Sequence, residues 1–167
     1  MSQWAIQKIA SAHHRGGFTC GEPSLDEYLK KYARQNAELG VSKTCVVVRP
    51  DTPIVLGYYT VCSGSVSLHQ APTDRKGLPK VLLTAHIARL AVDKTVQRTG
   101  LGGILLVDAI GRIVATSEEI GIYAITVDAL HERAKQYYLR FGFVPIGEGL
   151  RLYIPIQTAR MLISPKV

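Results

Sequence analysis

The sequence has little that would cross-link it, chelate a metal or hold it in a lipid bilayer. Three cysteines occur in 167 residues, Cys20, Cys45 and Cys62. Their number is odd and no CxxC pair is present, which argues against both a disulfide framework and a structural zinc site. No stretch approaches the roughly 20 apolar residues of a membrane span. The start, "MSQWAIQKIASAHHRGG", lacks the continuous apolar segment of a secretion signal. A reducing cytoplasm without membrane attachment is the expected setting. Charged residues make up 20% of the chain and hydrophobic residues 47%, a balance that excludes disorder and fibrous repeats. No linker and no internal repeat interrupts residues 1–167, so a single domain is expected, long enough to bury a core.

What is present is an excess of positive charge. Twenty Lys and Arg against thirteen Asp and Glu give a formal net charge of +7. Such a surface favours polyanions, nucleic acid or a phosphorylated cofactor; solubility alone is the bland alternative.

Hydrophobic patterning gives the element order. Trp4–Ile9 alternates apolar and polar residues and reads as a strand. The loop after it carries His13 and His14, which have no acidic or cysteine partner at ligand spacing and read as an exposed pair, so no metal site is expected. "PSLDEYLKKYARQNAELG" reads as a helix with Ser24 and Glu27 as a capping box, Leu25, Tyr28, Leu29 and Tyr32 on its apolar face, and Gly40 at its end. Lys30, Lys31 and Arg34 form a basic face, for RNA or for water. "KTCVVVRP" and "IVLGYYTVCSGSVSLH" read as strands, the second bent at Gly64. "QAPTDRKGLPK" is a basic loop. "AHIARLAVD" is a strand, the run from Gly100 to Ser117 a helix, "GIYAITVDA" a strand and "HERAKQYYLRF" a helix stopped by Gly142. "FVPI" and "LRLYIPI" close the chain as strands. The order β-α-β-β-β-α-β-α-β-β predicts an α+β mixed sheet with helices on its faces.

The stretch "RLAVDKTVQRTGLGG" concentrates the chemistry. A strand feeding a glycine-rich turn and then a helix is a general anion site, because first-turn N–H groups are unpaired and glycines admit close approach. It is not a P-loop, since Ile104-Leu105 stand where Lys-Ser/Thr is needed. It is not a dinucleotide fingerprint either, since Leu105 replaces the third glycine. What remains is Gln97-x-x-Gly100-x-Gly102.

That motif resembles the pyrophosphate loop of the GNAT superfamily of N-acetyltransferases. "AITVDA" followed by "AKQYYLRFGFVPI" resembles the closing segment of the same family. "FTCGEPSLDEYLKKYARQNAELGVSKTCVVV", "IVLGYYTVCSGSVSL" and "IARLAVDKTVQRTGLGGILLVDAI" narrow the resemblance to the TacT-like acetyltransferase toxins of bacterial type II toxin–antitoxin modules. It covers roughly Phe18 to Pro155.

The resemblance implies a GNAT fold, with a central, mostly antiparallel mixed sheet whose middle strands splay. It implies direct acetyl transfer from acetyl-CoA to the α-amine of an aminoacyl-tRNA, which blocks translation; the alternative is a non-toxin relative acting on a small amine or a protein amine. Tyr138 matches the family's catalytic tyrosine, the acid for the leaving thiolate, with Tyr137 turned about 100° away on the helix. Leu90, Ala91 and Val92 match the strand that pairs with the pantetheine arm and offers an oxyanion N–H. Arg98, Thr99, Gly100, Leu101, Gly102 and Gly103 match the pyrophosphate loop. Many relatives have glycine where this chain has Arg98, and a basic residue where it has Thr99. Asp128, Ala129 and Ala134 match the wall opposite the pantetheine; Asp128 alternatively caps the next helix. Asp93, His131 and Glu132 are general-base candidates by type alone. Lys30, Lys31, Arg34, Arg75, Lys76 and Lys80 are the expected tRNA contacts. A ribbon-helix-helix antitoxin and a homodimer are the implied protein partners.

Overall fold

The computed structural model describes residues 3–164. Seven strands hydrogen-bond in the order β1-β2-β3-β4-β5-β7-β6, a mixed sheet in an α+β fold. The residues group into two compact units, Met1–Cys62 with Ala88–Ala109, and Ser63–Ile87 with Ile110–Val167.

In the first unit β1 (Ala5–Lys8) pairs antiparallel with β2 (Lys43–Val48), from Ala5↔Val48 to Lys8↔Cys45. On its other side β2 pairs antiparallel with β3 (Gly57–Ser67), from Lys43↔Val61 to Val47↔Gly57. The run from Thr44 to Val48 is buried throughout, which is why it reads as continuous hydrophobicity rather than alternation. Gly57 permits this packing. A Cβ there would sit 3.0 Å from side-chain carbons of Val47 and Leu105 and 3.1 Å from the Ala91 carbonyl.

The expected first helix forms in three pieces: α1 (Pro23–Glu27), a π-helical turn (Tyr28–Tyr32) and α2 (Ala33–Glu38). Its start corrects the capping-box expectation. Glu22 is the N-cap residue and makes no side-chain cap bond; Pro23 stands at the first helical position, where its fixed φ suits the turn and its missing N–H costs nothing. Ser24 is therefore already inside the helix. Asp26 ties the helix to the preceding loop instead, its Oδ1 accepting the Cys20 N–H at 2.9 Å.

The π turn disturbs the 3.6-residue register. Tyr28, Leu29 and Ala33 are buried, whereas Tyr32, expected on the apolar face, is 47% exposed. Arg15 donates to the Leu29 carbonyl within the turn at 3.0 Å. Gly40 ends the segment with φ +75°, and the Val41 N–H returns to the Asn36 carbonyl. Phe18, Tyr28, Leu29, Val46, Val55 and Tyr58 make the core of this unit. His13 also departs from expectation: it is buried, its Nδ1 accepting the Ala10 N–H and its Nε2 facing Gln7 Oε1 at 2.8 Å.

In the second unit the part of β4 (Val81–Val92) up to Ile87 pairs parallel with β5 (Ala124–Asp128), from Thr84↔Ala124 to Ile87↔Val127. β6 (Val144–Pro145) and β5 both pair antiparallel with β7 (Arg151–Pro155). Gly64 allows a close approach: a Cβ there would lie 2.9 Å from Thr84 Oγ1.

α3 (Leu101–Thr116) and α4 (Glu132–Arg140) lie where the periodicity places them. β7 is not the last element among the described residues. Ile156–Ile163 forms α5, which starts after Pro155, buries Ala159 completely and donates its first N–H to the Tyr123 carbonyl. Among the described residues no helix is long and apolar enough to cross a membrane.

Candidate functional site

The glycine turn is built so that its side chains hold the loop and its backbone stays open. β4 ends through half-buried Leu90 and Val92, with Ala91 buried between them. Asp93 follows, 6% exposed. Its carboxylate accepts the Thr19 N–H at 3.0 Å, the Thr95 N–H at 3.0 Å and the Thr95 hydroxyl at 2.7 Å. Burial alone would raise its pKa, but these donors hold it below the usual carboxylate value. Gln97 Nε2 donates to the carbonyls of Cys20 at 2.8 Å and Val92 at 2.9 Å, and the Thr99 hydroxyl donates to the Val96 carbonyl at 2.7 Å.

Two residues of the turn take the left-handed region, Arg98 at φ +63° and Gly100 at φ +87°. A side chain at Arg98 is strained in this conformation, which glycine would adopt freely. Leu101 is 1% exposed and pins the start of α3. The N–H groups of Leu101, Gly102 and Gly103 form no hydrogen bond among the described residues, while that of Ile104 returns to the Gly100 carbonyl. Three unpaired donors at the positive end of a 16-residue helix dipole fit a pyrophosphate.

Tyr138 lies on α4, half-buried. Its ring meets Tyr137 edge-on at 5.8 Å and Phe143 edge-on at 5.7 Å. Burial, and then the neighbouring Tyr137, push its pKa up to about 12, so it stays a protonated phenol at neutral pH. Its hydroxyl makes no hydrogen bond among the described residues. Tyr137 packs against Phe141 at 5.2 Å, with Arg140 over its ring.

Asp128 does not cap α4. His131 does, its Nδ1 accepting the Ala134 N–H at 3.1 Å from an extended backbone. Asp128 instead accepts Arg151 Nε at 2.7 Å and Nη2 at 3.1 Å, with His86 Nε2 at 3.4 Å. The Arg151 bonds hold the Asp128 carboxyl below its ordinary value against the burial that raises it. Sequence spacing gave no signal for His86 or Arg151, because strand pairing across β4, β5 and β7 brings them together. Ala129 is buried and Ala134 half-buried.

The base candidates by type are otherwise engaged. Asp93 is saturated by donors, His131 is a cap, and Glu132 accepts from Gln136 at 3.3 Å. Among the expected tRNA contacts, Lys31 pairs with Glu27 and Arg34 with Glu38 along the helix. Lys30, Arg75, Lys76 and Lys80 are exposed. Among the described residues no cluster of three or more His, Cys, Asp or Glu could hold a metal ion.

Residues 26–151 match the acetyltransferase (GNAT) domain family. The chain is 40% identical over 162 residues to a tRNA-acetylating toxin of Mycobacterium tuberculosis (strain ATCC 25618 / H37Rv), covering 96% of each. A solved tyrosine-to-phenylalanine mutant of KacT superposes with a TM-score of 0.91 at 29% identity, over 96% of this chain and 99% of the other. A second such mutant, of the toxin AtaT bound to the C-terminus of the antitoxin AtaR and acetyl-CoA, gives a TM-score of 0.83 at 27% identity, over 98% and 99%.

Proposed function

The chain belongs to the GNAT family of acetyltransferases, and from that premise we propose that it is a toxin acetylating the α-amine of an aminoacyl-tRNA from acetyl-CoA. The observation that carries the cofactor is the turn from Arg98 to Gly103, with three unpaired N–H groups at a helix start. The acceptor is supported by the mycobacterial relative, a tRNA-acetylating toxin, and by the net charge of +7.

Acetyl-CoA supplies an activated acetyl thioester. The N–H groups of Leu101, Gly102 and Gly103 hold the pyrophosphate oxygens, and Arg98, Thr99 and Gly100 set the turn that aims them. The backbone of Leu90, Ala91 and Val92 pairs with the pantetheine arm, and one of its N–H groups stabilises the developing oxyanion. Asp128, fixed by Arg151, forms the wall for that arm with Ala129 and Ala134.

The amine attacks as a free base. A C–N bond forms, the C–S bond breaks, and Tyr138 donates its phenolic proton to the leaving sulfur. The amine's surplus proton passes to water, since the carboxylates and imidazole expected to act as bases are tied into the fold, and Tyr138 takes a proton back from water to close the cycle. Lys30, Lys31, Arg34, Arg75, Lys76 and Lys80 serve as phosphate contacts. A ribbon-helix-helix antitoxin and a second copy of the chain are the proposed protein partners, the antitoxin supported by the AtaT complex.

Purified protein with acetyl-CoA should acetylate charged tRNA and arrest a cell-free translation system. Translation that proceeds unchanged, with acetyl transfer to a small amine or a lysine, would replace this reading with the non-toxin alternative.

A further inference from the structure

Arg89, just before the Leu90–Val92 stretch, is held in a built environment. Its guanidinium carbon lies 3.7 Å above the centroid of the Tyr28 ring. That ring is fixed from several sides. Its hydroxyl meets Ser42 Oγ at 2.9 Å and receives Asn36 Nδ2 at 3.3 Å, and its face stacks on Tyr58 at 6.4 Å and 20°. Tyr58 is held in turn by a 2.7 Å hydrogen bond to the Leu25 carbonyl and by an edge contact with Phe18 at 5.7 Å. Tyr28 also opens the π turn, a distortion of the kind that recurs at functional sites.

The guanidinium on this platform is half-buried. Among the described residues no carboxylate pairs with it and no carbonyl accepts from it. Arg15 and Arg34 of this unit differ, Arg15 donating to backbone carbonyls and Arg34 pairing with Glu38, while Arg49 lies over the Trp4 ring at the longer distance of 5.1 Å. A packing arginine with a satisfied fork would resemble Arg15 and Arg34. A guanidinium held against an aromatic face with its donors unused is preorganised for a planar bidentate anion.

We infer that Arg89 is a binding residue for a backbone phosphate near the 3′ end of the acceptor RNA, seating the aminoacyl group for transfer. This deepens the proposed function and rests on it. A fork with five donors suits a phosphodiester, and Arg89 stands on β4 directly before Leu90–Val92, the residues proposed to hold the pantetheine arm and the oxyanion. The ligand is the acceptor's phosphate, because the cofactor's pyrophosphate is assigned to the turn beyond Gln97.

The test is steady-state acetyl transfer to two acceptors, charged tRNA and a phosphate-free aminoacyl-adenosine analogue, by wild type, Arg89→Gln and Arg89→Lys. Arg89→Gln should raise KM for charged tRNA about ten-fold or more, since a charge-assisted fork is lost. It should lower the salt slope of RNA binding by about one. KM for the nucleoside analogue and the Kd for acetyl-CoA should stay within about two-fold. Arg89→Lys keeps the charge but not the fork and should fall between; if Arg89→Gln does not fold, Arg89→Lys decides alone.

Unchanged KM for charged tRNA overturns the inference. So does an equal loss on the nucleoside analogue, or a weakened acetyl-CoA affinity. Loss of antitoxin neutralisation with intact tRNA kinetics would assign the guanidinium to a protein carboxylate and likewise overturn it. Wild-type protein that acetylates neither acceptor defeats the proposed function itself, a result distinct from all of these.

Discussion

Two aromatic clusters use the same residue type in opposite ways. In the first unit Tyr28 and Tyr58 are buried and their hydroxyls are bonded, to Ser42 and to the Leu25 carbonyl. In the second unit Tyr138 is packed by Tyr137 and Phe143, and its hydroxyl makes no hydrogen bond among the described residues. That hydroxyl is not one of the buried atoms lacking a hydrogen bond, so solvent reaches it and a substrate can take the solvent's place. The satisfied hydroxyls stabilise the fold; the unsatisfied one is available to a substrate.

The comparison breaks most directly at Tyr138. Tyr138→Phe removes one oxygen from a ring whose contacts are otherwise apolar. It should lower kcat by about 10²- to 10⁴-fold, the range for a lost general acid. Acetyl-CoA affinity by calorimetry and the melting temperature should stay near wild type, and translation arrest should vanish. Full activity would remove the assigned role. The pH dependence sharpens the point. An α-amine titrates near 7.7–8.0, so kcat/KM should rise through that range as the attacking free base forms. With the Tyr138 phenol at about 12, no falling limb should follow below that pH.

Asp93 is the carboxylate counterpart of a satisfied tyrosine, and its loss should cost stability rather than chemistry. Asp93→Ala strands the Thr19 and Thr95 donors and should lower unfolding stability by about 2–3 kcal/mol, read by urea titration. Acetyl transfer per folded molecule should persist. Because the folded-state pKa is depressed, the stabilisation is present above the unfolded value near 3.8 and is lost as pH falls through the folded value. Wild type should therefore lose stability below about pH 4 more steeply than Asp93→Asn. A collapse of kcat in folded Asp93→Asn would return Asp93 to the list of bases.

Tyr58→Phe is the smaller mirror of Tyr138→Phe. The hydroxyl lost here bonds the Leu25 carbonyl. Stability should fall by about 1–2 kcal/mol, with kcat unchanged. If Tyr58→Phe cut kcat as deeply as Tyr138→Phe, hydrogen-bond satisfaction would not separate structural from chemical tyrosines in this chain.

The elements that patterning placed correctly are those whose cause is local. The buried run in β2, the glycine stop after α2 and the strand–turn–helix around Gly100 each follow from adjacent residues. The failures are non-local or involve competing caps. Pro23 outcompeted Ser24 as a helix starter, and the π turn moved Tyr32 off the core face. The strand reading of "LRLYIPI" runs one residue too far, into Ile156, and gives no sign of α5, because one apolar run crosses Pro155, where the chain turns from β7 into a helix. In the candidate site the loop and Tyr138 were legible by resemblance. The partners of Asp128 were not, since Arg151 reaches it only through the β5–β7 register. Nor did sequence show that Asp93 and His131 are tied up as caps.

Arg98 offers the finest test, because it combines a strained backbone with an exposed cation. Two roles are separable there. If the turn holds pyrophosphate through the N–H groups of Leu101, Gly102 and Gly103, the guanidinium is secondary. Arg98→Gly then relieves a left-handed strain of about 1–2 kcal/mol, offset in part by the extra freedom glycine gives the unfolded chain. The net expectation is a gain of about 0–1 kcal/mol in stability, with the acetyl-CoA Kd changed by less than about three-fold. Gly100→Ala should act in reverse at φ +87°, losing both stability and affinity, because the strain falls on the turn that aims those donors. A ten-fold weaker Kd in Arg98→Gly would instead make the side chain the phosphate ligand. Strain at that position would then be retained for the charge it carries rather than tolerated where glycine fits better.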